Sequence, residues 1–141
     1  MIVLDTDHLS ELQRRDSRRG VKLRERLEKQ TDRRITTTVI SIEEQLRGRL
    51  AVINESEARI AQVLPYTRLT ELLEFYAGWM ILPFDQIAAR QFRELRGAKI
   101  RIGTMDLKIA SIVLAHSATL LSANLRDFRQ VPDLSVEDWL S

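Results

Sequence analysis

Residues 1–12 read MIVLDTDHLSEL, and this stretch sets the problem that the rest of the chain answers. Ile2–Leu4 is a short apolar run suited to a buried strand, yet Asp5 and Asp7 follow it at once. A carboxylate at the end of a buried strand loses hydration, and that cost must be offset by a partner or a use. Thr6 or Asp7 can cap a helix over His8–Arg15.

Working outward, the same alternation recurs. Val21–Gln30 carries Val21, Leu23 and Leu27 at helical spacing. Ile35–Val39 is β-branched throughout and reads as a second strand. Ser41 opens a long helix with Ile42, Leu46, Leu50, Ile53, Ile60 and Leu64 on one stripe. Pro65 marks a helix break, and Leu69–Gly78 reads as a further helix. Trp79–Leu82 is a third strand, ended by Pro83. Asp85 caps a helix through Arg96, which Gly97 stops. Gly103 and Thr104 precede a helix over Met105–His116. Thr119–Ser122 is a fourth strand and Leu134–Val136 a fifth. Strands alternating with helices predict an α/β fold, a short and mainly parallel sheet covered on both faces. In such sheets ligands bind beyond the carboxyl ends of the strands.

Composition narrows the chemistry. The chain has 141 residues, which predicts one domain over 1–141 with a single core. It has no cysteine, so disulfide scaffolds, thiolate metal sites and cysteine nucleophiles are excluded. No apolar stretch is long enough to span a bilayer. Nor does the N-terminus read as a signal peptide, so the expectation is a cytoplasmic protein. Net charge is only +2, but of 22 basic residues 18 are arginine. Arginine forks match phosphate geometry, although arginine-rich coding produces the same bias without function. Arg14, Arg15, Arg18 and Arg19 form a candidate phosphate-contacting edge.

The acids fall where a parallel sheet would gather them. Asp5 follows the first strand. Glu43 and Glu44 lie in the first turn of the helix after the second. Asp106 opens the almost wholly apolar helix before the fourth strand. Asn124 and Asp127 follow that strand within LSANLRDF. Taken singly, each acid is readily explained as a helix cap or dipole partner. Taken together, carboxylates at one edge repel one another unless a cation intervenes. An all-oxygen set lacking Cys or paired His suits Mg²⁺ or Mn²⁺, the ions of metal-assisted phosphodiester hydrolysis.

Four segments in order resemble the PIN-domain ribonucleases, specifically the VapC-type toxins of prokaryotic toxin–antitoxin pairs. They are IVLDTDHLSEL (2–12), TTTVISIEEQLRG (36–48), RIGTMDLKIASIVLAHSATLLSANLRDF (101–128) and LSVEDW (134–139). The resemblance covers essentially the whole chain. It implies a PIN-like three-layer α/β/α sandwich and a Mg²⁺- or Mn²⁺-dependent endoribonuclease. It further implies an RNA substrate, a homodimer and a VapB-type antitoxin that blocks the acid pocket. Its metal-holding positions carry over to Asp5, Glu44 and Asp106. Glu44 is taken over Glu43 because the family glutamate lies four residues before the glycine, here Gly48. Helical periodicity points the other way, since Glu44 falls nearly opposite the Ile42–Leu46–Leu50 stripe. The fourth position is Asn124, two residues after Ser122, with Asp127 as a nearby alternative. Asp7 and Met105 stand where the family commonly has Asn. Asp7 is expected to cap the first helix.

Other residues carry less. His116 fits a dipole partner at a helix C-terminus, and His8 is a candidate substrate contact beside the acids. Phe75, Tyr76, Trp79 and Phe84 suit a core or a dimer surface. Lys99, Arg101 and Lys108 flank the third acid as candidate phosphate contacts. Two rival functions remain open. One is a PIN-like RNA- or protein-binding module without catalysis. The other is a haloacid dehalogenase-type phosphatase, whose DxD nucleophile Asp5 and Asp7 imitate, although His8 and Leu9 depart from that motif.

Overall fold

The computed structural model describes residues 1–56 and 61–141. Five strands form one sheet in the order β3-β2-β1-β4-β5, with β1 Ile2–Leu4, β2 Ile35–Thr38, β3 Met80–Leu82, β4 Thr119–Leu121 and β5 Ser135–Glu137. All four pairings are parallel, so the sheet is wholly rather than mainly parallel. The helices are α1 Thr6–Gln13, α2 Arg18–Glu28, α3 Val39–Ser56, α4 Val63–Tyr76, α5 Gln86–Gly97, α6 Thr104–Ala115 and α7 Leu125–Phe128.

Strand periodicity divides the core in two. Val3 and Leu120 pack with Ile109, Ile112 and Val113 of α6. Their neighbours Ile2, Leu4 and Leu121 pack with Leu9, Leu23, Leu27 and Leu72 of α1, α2 and α4. Alternate side chains thus enter opposite faces, and each face is closed by helices, which gives the three layers. Every fully buried Leu or Ile contributes about 1.5–3 kcal/mol. α6 explains its apolar sequence here: Leu107, Ile109, Ala110, Ile112 and Val113 are all buried.

The chain runs from β1 outward through β2 to β3, then returns to place β4 on the other side of β1. The switch point is therefore the β1–β4 boundary, where a crevice opens beyond the strand ends. Leu4 pairs with Leu121, and the Asp5 N–H donates to Leu121 O at 2.9 Å. This register puts Asp5 and Ser122 side by side at the crevice.

Several sequence expectations change. α1 begins at Thr6 with Asp5 as its N-cap, not Thr6 or Asp7. α2 begins at Arg18 because the Ser17 hydroxyl caps it on the Gly20 N–H. α3 begins at Val39, and Thr38 Oγ1 accepts the Ser41 N–H at 3.1 Å in N-cap geometry. Of its expected stripe, Ile53 is buried and Ile42 and Leu46 pack partly buried against the core, but Leu50 is 48% exposed, and Ile40, Ser41 and Gln45 widen the buried face. Gln45 is buried because Gln13 and the Tyr76 hydroxyl satisfy its amide. Leu64 belongs to α4, not to α3, and Ile60 lies outside the described residues. Pro65 falls inside the first turn of α4, where a missing N–H is harmless. Phe75, Tyr76 and Trp79 pack edge-on or tilted against one another with ring centroids 5.1 to 6.0 Å apart, within the core.

Candidate active site

Asp5 is buried. Its Oδ1 accepts the Thr6 N–H at 2.8 Å, and its Oδ2 accepts the Ser122 hydroxyl at 2.9 Å. The residue is thus a helix cap as well as a site candidate. The two roles separate electrostatically. A capping carboxylate with such donors ordinarily titrates low. Here burial, and then the charge of Asp7, push Asp5 up to about 6. Asp106 adds to the repulsion.

Glu44 reaches the same place from α3. Its Oε2 accepts the Thr6 hydroxyl at 3.3 Å. Burial raises its pKa, opposed by the Thr6 bond, and the charges of Asp106, Glu43 and Asp7 raise it further. The inward aim follows from the true buried face of α3. Residues three and four apart share a face, and Glu44 follows buried Ser41 and Ile40 at those spacings. Glu43 turns away to pair with Arg47 at 2.7 Å on the surface.

Asp106, Asn124 and Asp127 form the opposite wall. The Asn124 side-chain amide donates to Asp106 Oδ2 at 3.2 Å and to Asp127 Oδ2 at 3.1 Å. Burial and the charge of Asp127 raise the Asp106 pKa, opposed by the Asn124 bond. Asn124 and Asp127 are therefore not alternatives, because one amide holds both carboxylates. The five expected residues thus stand in two groups, Asp5 and Glu44 about Thr6 and Asp106 and Asp127 about Asn124, which act on each other through charge.

Asp7 and His8 do something else. Burial raises the Asp7 pKa, but hydrogen bonds from His8 and from the Ala123 N–H outweigh it and hold the group below the usual carboxylate range. Asp7 Oδ2 accepts that N–H at 2.9 Å and its Oδ1 accepts the His8 N–H at 2.7 Å, so it braces the loop after β4 and also serves the first turn of α1, while Asp5 is the N-cap. His8 is fully buried. Its Nδ1 lies 2.6 Å from Asp7, and its Nε2 accepts the Trp139 N–H at 3.1 Å. Buried in this way, His8 is no substrate contact. His116 is the C-cap of α6.

Sequence reasoning used Ser122 only as a landmark and missed its part. Its hydroxyl touches Asp5 and Asp7 and accepts the Asn124 N–H at 3.1 Å. A hydroxyl residue directly after an apolar strand, two before Asn124, was the available signal.

The donor set fits a hydrated divalent ion. Asp5, Glu44, Asp106 and Asp127 are all-oxygen and, among the described residues, lack a Lys or Arg partner within 4.0 Å. Hydrogen bonds from Thr6, Ser122 and Asn124 offset part of their mutual repulsion. Among the described residues no three carboxylates or imidazoles converge closely enough to cage an ion by themselves. An ion held here would take one or two of these carboxylates and complete its shell with water and substrate phosphate.

The chain belongs to the PIN domain family, whose family model matches residues 2–134. Ribonuclease VapC2 of Rickettsia felis is 41% identical over 46 residues, 33% of this chain and 34% of that protein. Ribonuclease VapC1 of the same organism is 37% identical over 60 residues, 40% of this chain and 45% of that protein. The matched stretches thus span less than half the length of these curated relatives. In fold, VapBC-1 of nontypeable Haemophilus influenzae aligns over 100% of both chains with a TM-score of 0.75 at 20% identity. Family membership removes the phosphatase reading of Asp5 and Asp7. Among the described residues no helix is long and apolar enough to cross a membrane.

Proposed function

We propose that this chain is a divalent-metal-dependent endoribonuclease of the VapC toxin type. The observation that carries the reading is Asp5. It is capped like a structural aspartate, yet its pKa is driven up to about 6 by burial and like charge. A site that costs stability in this way is explained by a cation it is built to receive. Asp5, Glu44 and Asp106 would hold Mg²⁺ or Mn²⁺, with Asn124 and Asp127 closing the far wall. When bound, such an ion supplies charge neutralisation at a phosphodiester and lowers the pKa of water. The chain's own part is orientation: Ser122 and Thr6 aim Asp5 and Glu44, while Asn124 fixes Asp106 against Asp127. Hydrolysis then joins water oxygen to phosphorus, breaks a P–O ester bond and leaves the departing oxygen protonated.

The same reading assigns a VapB-type antitoxin partner, in keeping with the VapBC-1 neighbour, and a cytoplasmic place of action. It also assigns a second copy of this chain. Leu50 and Val52 of α3, Leu73 of α4 and Met80 and Ile81 of edge strand β3 are exposed apolar groups that a homodimer would cover. We take residues 1–141 as one domain. The test is incubation of purified protein with mixed structured RNA in EDTA, Mg²⁺ or Mn²⁺. Cleavage confined to the metal-containing reactions is expected, and intact RNA in all of them overturns the proposal in favour of a binding module.

A further inference from the structure

We infer that the exposed basic face of α2, built on Arg18, Arg19 and Lys22, is the docking surface for the RNA phosphate backbone beside the acid site. The inference rests on the ribonuclease reading. A carboxylate cluster repels a polyanion, and one hydrated ion offsets only the phosphate it touches. Flanking phosphates need cations, and among the described residues none contacts the site acids within 4.0 Å.

α2 supplies them at the right place. Arg18, Arg19 and Lys22 are exposed. Among the described residues none of the three has a carboxylate within 4.0 Å. Among the described residues, Arg19 is the one basic residue lining a cavity of about 400 Å³, whose other lining includes Asp7, Glu11, Ala123 and Asp138. Asp7 holds the Ala123 N–H, and the next residue, Asn124, holds Asp106. Arg19 therefore ties the basic end of α2 to the loop that carries the site. The larger cavity, about 470 Å³, lies at the other end of the sheet beside Ala118 and Ser135, away from the acids.

The placement is rigid and goes against local stability. A Cβ on Gly20 would come within 2.3 Å of Glu11 O, so only glycine lets α2 seat on α1 here. The first turn of α2 holds two arginines and no acid, although acids are favoured at that end of a helix. Surface stability alone would select the reverse charge, and binding to a polyanion accounts for the choice.

The test is equilibrium binding of a labelled single-stranded RNA in EDTA across a salt series, alongside cleavage with Mn²⁺. The Arg18→Gln, Arg19→Gln, Lys22→Gln triple variant is expected to keep its far-UV spectrum and to melt at or slightly above the parental temperature. Its plot of log affinity against log salt should be shallower by about 2, and its KM should rise about tenfold with kcat retained. Arg18→Lys with Arg19→Lys should keep the slope, and Arg33→Gln, at the entrance to β2, should change nothing. A triple variant with the parental slope overturns the inference, as does an equal loss in Arg33→Gln. So does weakened binding of polyglutamate with RNA binding intact, which would make this a protein-docking face. Slope changes without any metal-dependent cleavage would sink the catalytic reading and leave the surface standing; cleavage without slope changes would do the opposite.

Discussion

The Ser122 hydroxyl donates to Asp5 Oδ2 at 2.9 Å across 117 residues of sequence. It joins the ends of β1 and β4 at the point where the sheet changes direction. The same oxygen accepts the Asn124 N–H, so one side chain sets both walls of the acid site.

Ser122→Ala should therefore cost about 1–3 kcal/mol, since it strips a buried carboxylate of a donor and leaves the Asn124 N–H without its acceptor. Urea denaturation measures the loss. Ser122→Thr should recover most of it, and cleavage should fall in the alanine variant and return in the threonine one.

Asp5 makes a pH prediction with a definite sign. Its folded pKa of about 6 stands above the 3.8 of an unperturbed aspartate. The folded state holds its proton more tightly, so this contribution is complete below 3.8 and is lost as pH rises through 6. The loss in ion-free protein is about 3 kcal/mol. Asp5→Asn keeps an acceptor for the Thr6 N–H and carries no charge. In EDTA its stability should gain on the parent by about that amount between pH 4 and 7, while cleavage is abolished. A variant that loses ground over that range would show Asp5 to be purely structural.

His8 ties α1 to the C-terminal segment through the Trp139 N–H. Arg26 covers the other side of that segment, 4.0 Å from the Trp139 ring centroid. His8→Leu should cost about 2 kcal/mol by leaving the Trp139 amide without its acceptor and stripping Asp7 Oδ1 of one of its two donors. Amide hydrogen exchange at Trp139 should accelerate well before global unfolding.

Gly20→Ala should destabilise by about 1–3 kcal/mol, because the added methyl overpacks against backbone that cannot yield. Its Cβ position lies 2.3 Å from Glu11 O. Thermal unfolding reads the effect.

Much of this was legible in the sequence. The strands announced themselves as short apolar or β-branched runs, and the acids lay at their ends because that is where a parallel sheet exposes its crevice. Glu44 was misjudged by periodicity because the buried face of α3 runs through Ser41 and Gln45, polar residues whose partners, Asp5 for one and Gln13 and Tyr76 for the other, come from distant segments. Apolar spacing cannot reveal a face that is buried by hydrogen bonding. Asp7 showed only its local role, on the His8 N–H, because its second partner, the Ala123 N–H, lies 116 residues away. Ser122 was hidden for the same reason: a hydroxyl acquires its role only from what the fold brings to it.

The most direct test of the central claim is single-turnover RNA cleavage as a function of Mn²⁺ by the parent protein and by Asp106→Asn. Asp106 is half-buried, bonded to Asn124 and without a basic partner among the described residues, so the amide should preserve the fold. The account predicts saturable activation by Mn²⁺ in the parent and a loss of about a hundredfold or more in the variant. Equal rates in the two proteins, or cleavage that persists in EDTA, would contradict it.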